Sequence, residues 1–500
     1  MPDAESCKKC RTQGHACSGS NQGFILRAAM RRWVEPTILA ITAILVALRF
    51  AGLSRMSVWI DEVVSYACSV GPWIRFHIWE TNIPPLYYLL ANICLNIRDS
   101  DAFLRLPAAV AGALCVPVAY ILAGDIGFSR PHRALVALLV SASPWLFFYS
   151  QEARSYSLLI LFSLLSAIAF LRMEQGKRWW LLGGISLALG LWSQYVAAFF
   201  LAALWFHALL FRRERAVIVG LLVATSLALV LFAPWAVYTA MHPPHAVSIK
   251  KPWIGELAAF IHGWFQYFFG FSLGPSIREL RTEGIAAAMR EWPWFAAGAA
   301  VALIPLLKLR SVLRDKGFTF SMVCALMPPA IVLGLSFVPG FNITYHPRYA
   351  AASGIFLAMA WLWLAMKFKA RAVRWGLVAL MLSLMGLSSL NFFFNRRYYK
   401  EDIRSAAEVL RAERGPGEPL YVASGNVGLA LVYYYGEDFT PIDPWTDQDT
   451  IRLAGERVWL LSAREWETSP GPLIRNLEVD YQVSSEWNFP GVRLLLYRRN

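Results

Sequence analysis

Two adjacent carboxylates, Asp61 and Glu62, stand in the stretch SVWIDEVVSY, directly after the first long apolar run of the chain. Trp59 and Tyr66 frame them, and such aromatic residues are typical of the membrane–water interface. A carboxylate can take a proton from an acceptor hydroxyl or amine when it lies within hydrogen-bond reach. The stretch therefore predicts a general base in a loop at a membrane surface, and its alternative is a solvated loop that helps to orient a helix.

Two further stretches place charged side chains at the ends of apolar runs. YSQEARSY carries Glu152 and Arg154, and NITYHPRY carries His346 and Arg348. Ionisable residues at membrane depth are costly and commonly mark function, and arginine suits a phosphate whose charge grows as it departs. If the three stretches meet, they could displace a sugar from a lipid-linked phosphate.

Each of these residues also has a plainer interpretation. Glu152 and Arg154 could form an ion pair that holds a helix end, and Arg348 could extend toward the interface from a helix start. His346 could be a packed or capping residue. The sequence leaves these alternatives open.

The elements that must position these residues are membrane helices. The chain of 500 residues is 57% hydrophobic and 16% charged, with a mean hydropathy of +0.45, whereas soluble domains carry about 25% charged residues. The net charge of +14 resides in short clusters between apolar runs, as in cytoplasmic loops. This pattern favours a polytopic membrane protein and argues against nucleic-acid binding.

About eleven apolar runs could span a bilayer, which needs roughly 20 residues per helix. They are 34–52, 104–123, 133–149, 154–171, 179–194, 196–211, 216–236, 294–309, 319–338, 350–366 and 373–391. With this count every basic cluster falls on the side of the N-terminus, which is then cytoplasmic. The segments 84–97 and 257–273 are interpreted as interfacial or re-entrant helices.

Composition divides the chain into three parts. Residues 1–29 form a cytoplasmic extension, residues 30–391 form a membrane domain with external loops 53–103 and 237–293, and residues 392–500 have the charge density of a soluble domain. The last part predicts a small external α/β domain, with a helix in EDIRSAAEVLRAERG and strands in PLYVAS, RVWLLSA and VRLLLYRRN.

The N-terminal extension contains Cys7, Cys10, His15 and Cys17 in CKKCRTQGHAC. The pattern begins like a zinc knuckle but closes with an unusual spacing. Either it binds zinc, or the true start is Met30, and we favour the second interpretation.

The order of several motifs resembles a known family. WIDEVVSY is followed by PPLYYLL, FLRLPAAVAGALCVPVAY, SPWLFFYSQEARSYSLL and YHPRY. This order resembles the membrane glycosyltransferases of the GT-C superfamily, in particular glycosyltransferase family 39. That group is dolichyl-phosphate-mannose protein mannosyltransferase-like and related to lipid A aminoarabinose transferase. The resemblance covers about residues 30–400.

The resemblance implies an inverting transfer of a monosaccharide from a polyprenyl-phosphate donor. The acceptor is a lipid, glycan or protein, and the active site faces the periplasm from a bacterial inner membrane. It implies that Asp61 is the catalytic base, that Glu62 is its acidic neighbour and that Glu152 is the second acidic position.

For the donor phosphate, the resemblance implies Arg154 and Arg348, and His346 is placed with them. No cofactor is certain; an obligatory metal is not expected, but a divalent cation held by the carboxylates Asp61, Glu62 and Glu152 remains an alternative. Ile83 stands before the Pro-Pro pair where the family often has His, so a contact carried over from that position is in doubt.

Two other functions are weighed against glycosyl transfer. A transporter or flippase of a lipid-linked sugar would place ionisable or broken-helix sites at the bilayer midplane, often with inverted repeats. The charged residues here lie at the ends of apolar runs, which disfavours transport. A polymerase or ligase that uses diphosphate-linked oligosaccharides differs from the first hypothesis only in motif order.

Overall fold

The computed structural model describes residues 35–70, 83–242, 253–338, 343–423, 427–443, 446–448, 451 and 455–500. The extension with Cys7, Cys10, His15 and Cys17 lies outside the described residues.

Seventeen helices form the membrane domain within this described part. They are α1 (35–47), α2 (Ile60–Ser69), α3 (Leu86–Ile97), α4 (Asp101–Asp125), α5 (Arg130–Ala142), α6 (Pro144–Ser150), α7 (Tyr156–Leu171), α8 (Lys177–Ser193), α9 (Ala197–Phe211), α10 (Arg215–Met241), α11 (Trp253–Phe269), α12 (Ile277–Thr282), α13 (Ile285–Arg290), α14 (Trp292–Leu303), α15 (Lys316–Ser336), α16 (Ser353–Ala365) and α17 (Arg371–Phe394). Every apolar run predicted as a span is therefore helical over most of its length.

The number of membrane crossings depends on the length and composition of each helix. Five helices in the described residues are long and apolar enough to cross alone: α4, α10, α14 with its 3₁₀ continuation to Ser311, α15 and α17. The pair α5 and α6, bent by 55°, could be a sixth. Since α7, α9 and α16 are shorter than the roughly 20 residues of a straight span, the eleven-span count stays a prediction.

The bend between α5 and α6 has a local cause. Ser143 precedes Pro144, whose ring cannot continue the preceding helix, and the Ser143 hydroxyl caps α6 by accepting from the Leu146 N–H at 3.3 Å. The buried Arg49 guanidinium donates to the carbonyl oxygens of Val140 at 3.1 Å and Ser141 at 2.9 Å, which lie at the bend where the regular helical hydrogen bonds end. The bend thus directs α6 toward the corner that carries Glu152.

The C-terminal domain is a mixed sheet covered by helices α18 (Ile403–Glu413), α19 (Gly428–Tyr434) and α20 (Gly471–Asp480). Its strands are β1 (Leu420–Ala423), β2 (Thr440–Ile442), β3 (Arg457–Ala463), β4 (Tyr481–Phe489) and β5 (Val492–Arg499), in the order β2-β1-β3-β5-β4. The pairs of β1 are parallel and those of β5 are antiparallel.

The predicted helix and three predicted strands of this domain are confirmed as α18, β1, β3 and β5. The sequence reading missed β2, which has only three residues, and β4, in which most side chains are exposed or half-buried. Neither strand has the apolar run by which a buried strand is recognised.

The length of α4 separates two sets of charges. At one end of the domain, Asp125 at the end of α4 pairs with Arg172 after α7 at 2.9 Å. At the other end, Arg105 in the first turns of α4 meets Glu62. The predicted site residues gather at this second end, which also carries the C-terminal domain.

Candidate active site

Glu62 forms the most buried ion pair of the site. Arg105 donates to both carboxylate oxygens, through Nε to Oε1 at 2.7 Å and through Nη2 to Oε2 at 2.6 Å, and both side chains are almost inaccessible to solvent. The Ala153 N–H also donates to Oε1 at 2.8 Å. Burial favours the neutral acid, but Arg105 and its neighbours outweigh that effect and hold the pKa of Glu62 well below its usual range.

This arrangement ties the first predicted stretch to the second. Glu62 lies on α2, whereas Ala153 lies in the corner between α6 and α7. Arg105 further donates to the carbonyl oxygens of Leu53, Met56 and Ser57. The predicted catalytic Glu62 is therefore fully engaged, and we propose that it positions the site instead of reacting.

Asp61 occupies the adjacent position with a different environment. Its side chain is 27% exposed, and its Oδ2 accepts from Arg348 Nη1 at 3.2 Å. Arg154 Nη1 donates to the Asp61 carbonyl oxygen at 3.3 Å. Asp61 lies in the first turn of α2, where backbone N–H groups favour negative charge. Three stretches far apart in sequence thus meet at Asp61, and its carboxylate remains reachable from solvent.

The Glu152 side chain is buried, and its Oε2 lacks a hydrogen-bond partner among the described residues. Burial raises the pKa of Glu152 to about 7; Glu62 and Asp61 act in the same direction, while Lys400 and Arg348 oppose it. A buried acid near neutrality can hold or release a proton at physiological pH. Glu152 is therefore chemically distinct from Glu62, although both are buried.

We expect Glu152 to give the protein a characteristic pH dependence. The folded state keeps its proton up to about pH 7, whereas the unfolded chain releases it near 4.5, so the free energy of unfolding falls as pH rises between these values. Relative to wild type, Glu152→Gln should be more stable above pH 7 by about 3 kcal/mol and similar below pH 4.5. Thermal unfolding in detergent across this range measures the difference, and a difference independent of pH would contradict the assignment.

The segment that carries Arg348 is held by α11. Glu256 accepts from the Tyr345 N–H, and the Tyr267 hydroxyl donates to the Pro347 carbonyl oxygen at 3.0 Å. A side chain at Gly263 would meet the Tyr345 hydroxyl at 3.0 Å, so glycine permits the close approach of the segment to α11. The predicted interfacial or re-entrant helix therefore supports Arg348 directly.

The His346 side chain stabilises the backbone of the same segment. Its Nδ1 accepts from the Arg348 N–H at 3.2 Å and caps the 3₁₀ turn Pro347–Ala350. This contact matches the capping alternative. We propose that His346 orients Arg348, while its predicted contact with the donor phosphate stays a hypothesis.

The C-terminal domain clamps the loop that leads to Asp61. Arg404 donates to the carbonyl oxygens of Ser54 at 2.7 Å and Met56 at 3.2 Å and pairs with Asp101. Asp101 also accepts from the hydroxyls of Tyr433 and Tyr434. Together with Arg105, which binds the same loop from α4, Arg404 fixes residues 53–57 from two sides.

Loss of this clamp should loosen the loop. We expect Arg404→Gln to lower the free energy of unfolding by about 2 kcal/mol, because charged hydrogen bonds are lost, and to increase amide exchange in residues 53–59. Arg493→Gln is the control, because it breaks an exposed pair with Glu486 that should contribute less than about 1 kcal/mol. Equal exchange in both variants would show that the domain does not hold the loop.

Lys400 is a site residue that sequence reasoning missed. Its Nζ lies 3.5 Å from Glu62 Oε2 and over the rings of Trp59 and Phe148. The only sequence signal was a lone lysine after the last apolar run, in a segment interpreted as soluble domain.

The divalent-cation alternative can be compared with the geometry. Within the described ranges no group of three or more His, Cys, Asp or Glu side chains is placed to hold a metal ion. Glu62 is committed to Arg105. The three-carboxylate site considered from the sequence is therefore not formed by these residues.

The helical membrane domain, with acidic and basic residues gathered at one end and a small α/β domain joined to it, can now be compared with known proteins. Residues 82–238 match the family model described as dolichyl-phosphate-mannose-protein mannosyltransferase. A stretch of 192 residues is 30% identical to protein O-mannosyl-transferase 1 of Danio rerio, and it covers 33% of this chain and 26% of that relative. The chain thus matches about a quarter of the relative's length.

Solved structures of two other proteins have a similar fold. ArnT from Cupriavidus metallidurans matches in its apo state with a TM-score of 0.57 and 12% identity over 94% of this chain and 98% of that chain. Bound to undecaprenyl phosphate, it matches with a TM-score of 0.52 and 12% identity over 93% and 98%. The apo oligosaccharyltransferase of Archaeoglobus fulgidus matches with a TM-score of 0.55 and 12% identity over 87% and 70%.

The predicted fold class is thereby confirmed. The fold is of the GT-C type, and the central segment, residues 82–238, matches a mannosyltransferase family model.

Proposed function

We propose that this protein transfers a monosaccharide from a polyprenyl-phosphate donor to an acceptor on the periplasmic side of a bacterial inner membrane. The observation that carries the proposal is Asp61 at a helix end: its solvent-reachable carboxylate accepts from Arg348, and its backbone carbonyl oxygen accepts from Arg154. The matching structure of ArnT with undecaprenyl phosphate supports a lipid-phosphate donor. The acceptor is a lipid, glycan or protein that presents a hydroxyl or amine.

The proposed reaction is a single displacement at the anomeric carbon. The hydroxyl oxygen or amine nitrogen of the acceptor forms a bond to the anomeric carbon. Asp61 takes the proton that this oxygen or nitrogen loses. The bond between the carbon and the phosphate oxygen breaks, and the polyprenyl phosphate leaves with the bonding electrons. Cationic side chains stabilise the charge that develops on the leaving phosphate, and attack from the opposite side inverts the configuration.

The proposal is tested in cells that contain or lack the gene for this protein. We expect mass spectrometry of envelope lipids, glycans and proteins to reveal one sugar-modified species that disappears with the gene and returns on complementation. A lipid-linked sugar that merely accumulates on one side of the membrane, with no glycosidic product, would instead support a flippase.

A further inference from the structure

The cations of the site outnumber its carboxylate partners. Glu62 is paired with Arg105 and Asp61 with Arg348, and burial raises the pKa of Glu152 to about 7. Of the two further cations, Lys400 shares Glu62 with Arg105 at 3.5 Å, and Arg154 donates to the Asp61 backbone carbonyl oxygen. A partly buried positive charge is costly unless an anion compensates it.

Lys400 is placed to receive such an anion. Its ammonium lies 5.1 Å from the Trp59 ring centre and 5.3 Å from that of Phe148, and its side chain is only 13% exposed. Aromatic faces attract a cation without neutralising it. An ammonium has three donor hydrogens, and its one recorded hydrogen bond is the long contact of 3.5 Å to Glu62, which Arg105 already satisfies.

The position of Lys400 depends on the C-terminal domain. The residue lies between the end of α17 and the start of α18, four residues before Arg404. Arg404 anchors this junction on residues 54 and 56 of the first loop. Docking of the domain therefore sets where the Lys400 ammonium stands.

Lys400 is also close to the second corner of the site. Glu62 accepts from the Ala153 N–H through one carboxylate oxygen and from Lys400 through the other. Arg154 is the residue that follows Ala153. Lys400 therefore contacts the carboxylate that also binds the backbone of the residue before Arg154, while the Arg154 guanidinium contacts the neighbouring Asp61 carbonyl oxygen.

We propose that Lys400 binds the phosphate of the lipid-linked donor together with Arg154, an inference that rests on the proposed function. The geometry thus makes the C-terminal domain part of the catalytic site, because the site lacks one phosphate ligand until that domain is docked. A polyprenyl-phosphate sugar carries a negative charge at its diester, which these cations would offset. The compact charge of lysine is suited to phosphate oxygens.

The experiment compares two ligands on each purified variant in detergent: undecaprenyl phosphate and undecaprenol, which has the same chain without the phosphate. Native mass spectrometry or fluorescence quenching gives the ratio of their affinities. We expect wild type to prefer the phosphate and Lys400→Met to lose roughly tenfold to a hundredfold of that preference, the size of a charged hydrogen bond. Lys400→Arg should retain most of it.

Lys369→Met is the matched control, since Lys369 is an exposed lysine just before α17, at the other end of the domain. Its affinity ratio should equal that of wild type. If Lys400→Met keeps the wild-type ratio, Lys400 does not bind the phosphate, while the proposed function stands. A general loss of folding lowers the apparent affinity for both ligands by the same factor and leaves their ratio unchanged. An unchanged ratio of this kind also counts against phosphate binding by Lys400. If wild type itself shows no preference for the phosphate, the proposed function fails.

Discussion

Asp61→Asn is expected to reduce sugar transfer by about a hundredfold to ten-thousandfold, the usual contribution of general-base catalysis. The amide keeps the size of the carboxylate and can still accept from Arg348, which lies 3.2 Å away, but it cannot take the acceptor proton. Binding of the lipid phosphate and the thermal stability should therefore remain close to wild type. The measurement is the initial rate of formation of the sugar-modified product.

Asp99→Asn is the control for this prediction. Asp99 is an exposed carboxylate just before α4, and its Oδ2 accepts from the Tyr66 hydroxyl at 2.9 Å, a contact that an amide oxygen can keep. Its transfer rate should stay within about twofold of wild type. Full activity of Asp61→Asn would remove Asp61 from the reaction, and equal losses in both variants would point to a general charge effect.

Arg105→Met is expected to lower the free energy of unfolding by about 3–5 kcal/mol, because it leaves the Glu62 carboxylate buried without its partner. The carbonyl oxygens of Leu53 and Met56 lose a donor at the same time. The variant should show a markedly lower unfolding temperature in detergent. Arg493→Met, which breaks the exposed pair with Glu486, should cost less than about 1 kcal/mol.

Glu62→Gln separates a positioning role from a catalytic one. If Glu62 positions the loop, the loss of its charge should lower stability and loosen residues 53–59, with activity falling in proportion to the folded fraction. A fully stable Glu62→Gln protein with no activity would instead show that Glu62 has a catalytic role. The two outcomes are read from the unfolding temperature and the rate per folded molecule.

Much of the architecture could be predicted because the signals are local. The apolar runs, the interfacial segment that became α3 and the change of composition at about residue 392 are properties of neighbouring residues, and the predicted helices are present. Asp61 pairs with Arg348, 287 positions later. The sequence could predict only that the helix ends carrying these residues meet, and this prediction came from the resemblance of motif order.

The partners of individual charges could not be predicted in this way. Arg105 stands inside an apolar run and carried no signal, yet it is the residue that holds Glu62 and the loop before it. Lys400 and Arg404 belonged to a segment interpreted as soluble. Only packing brings a residue of the C-terminal domain beside a buried glutamate.

The sequence by itself determined that this is a helical membrane protein with a small α/β domain, and that its acidic and basic residues occur at helix ends. The tertiary structure decided that Glu62 is locked by Arg105, that Asp61 stays open to solvent and that Glu152 is buried beside them. The physical reason is that residue type and spacing fix what a side chain could do. What the side chain does depends on its desolvation and on the charge opposite it. Both arise from contacts between segments that are far apart in the sequence.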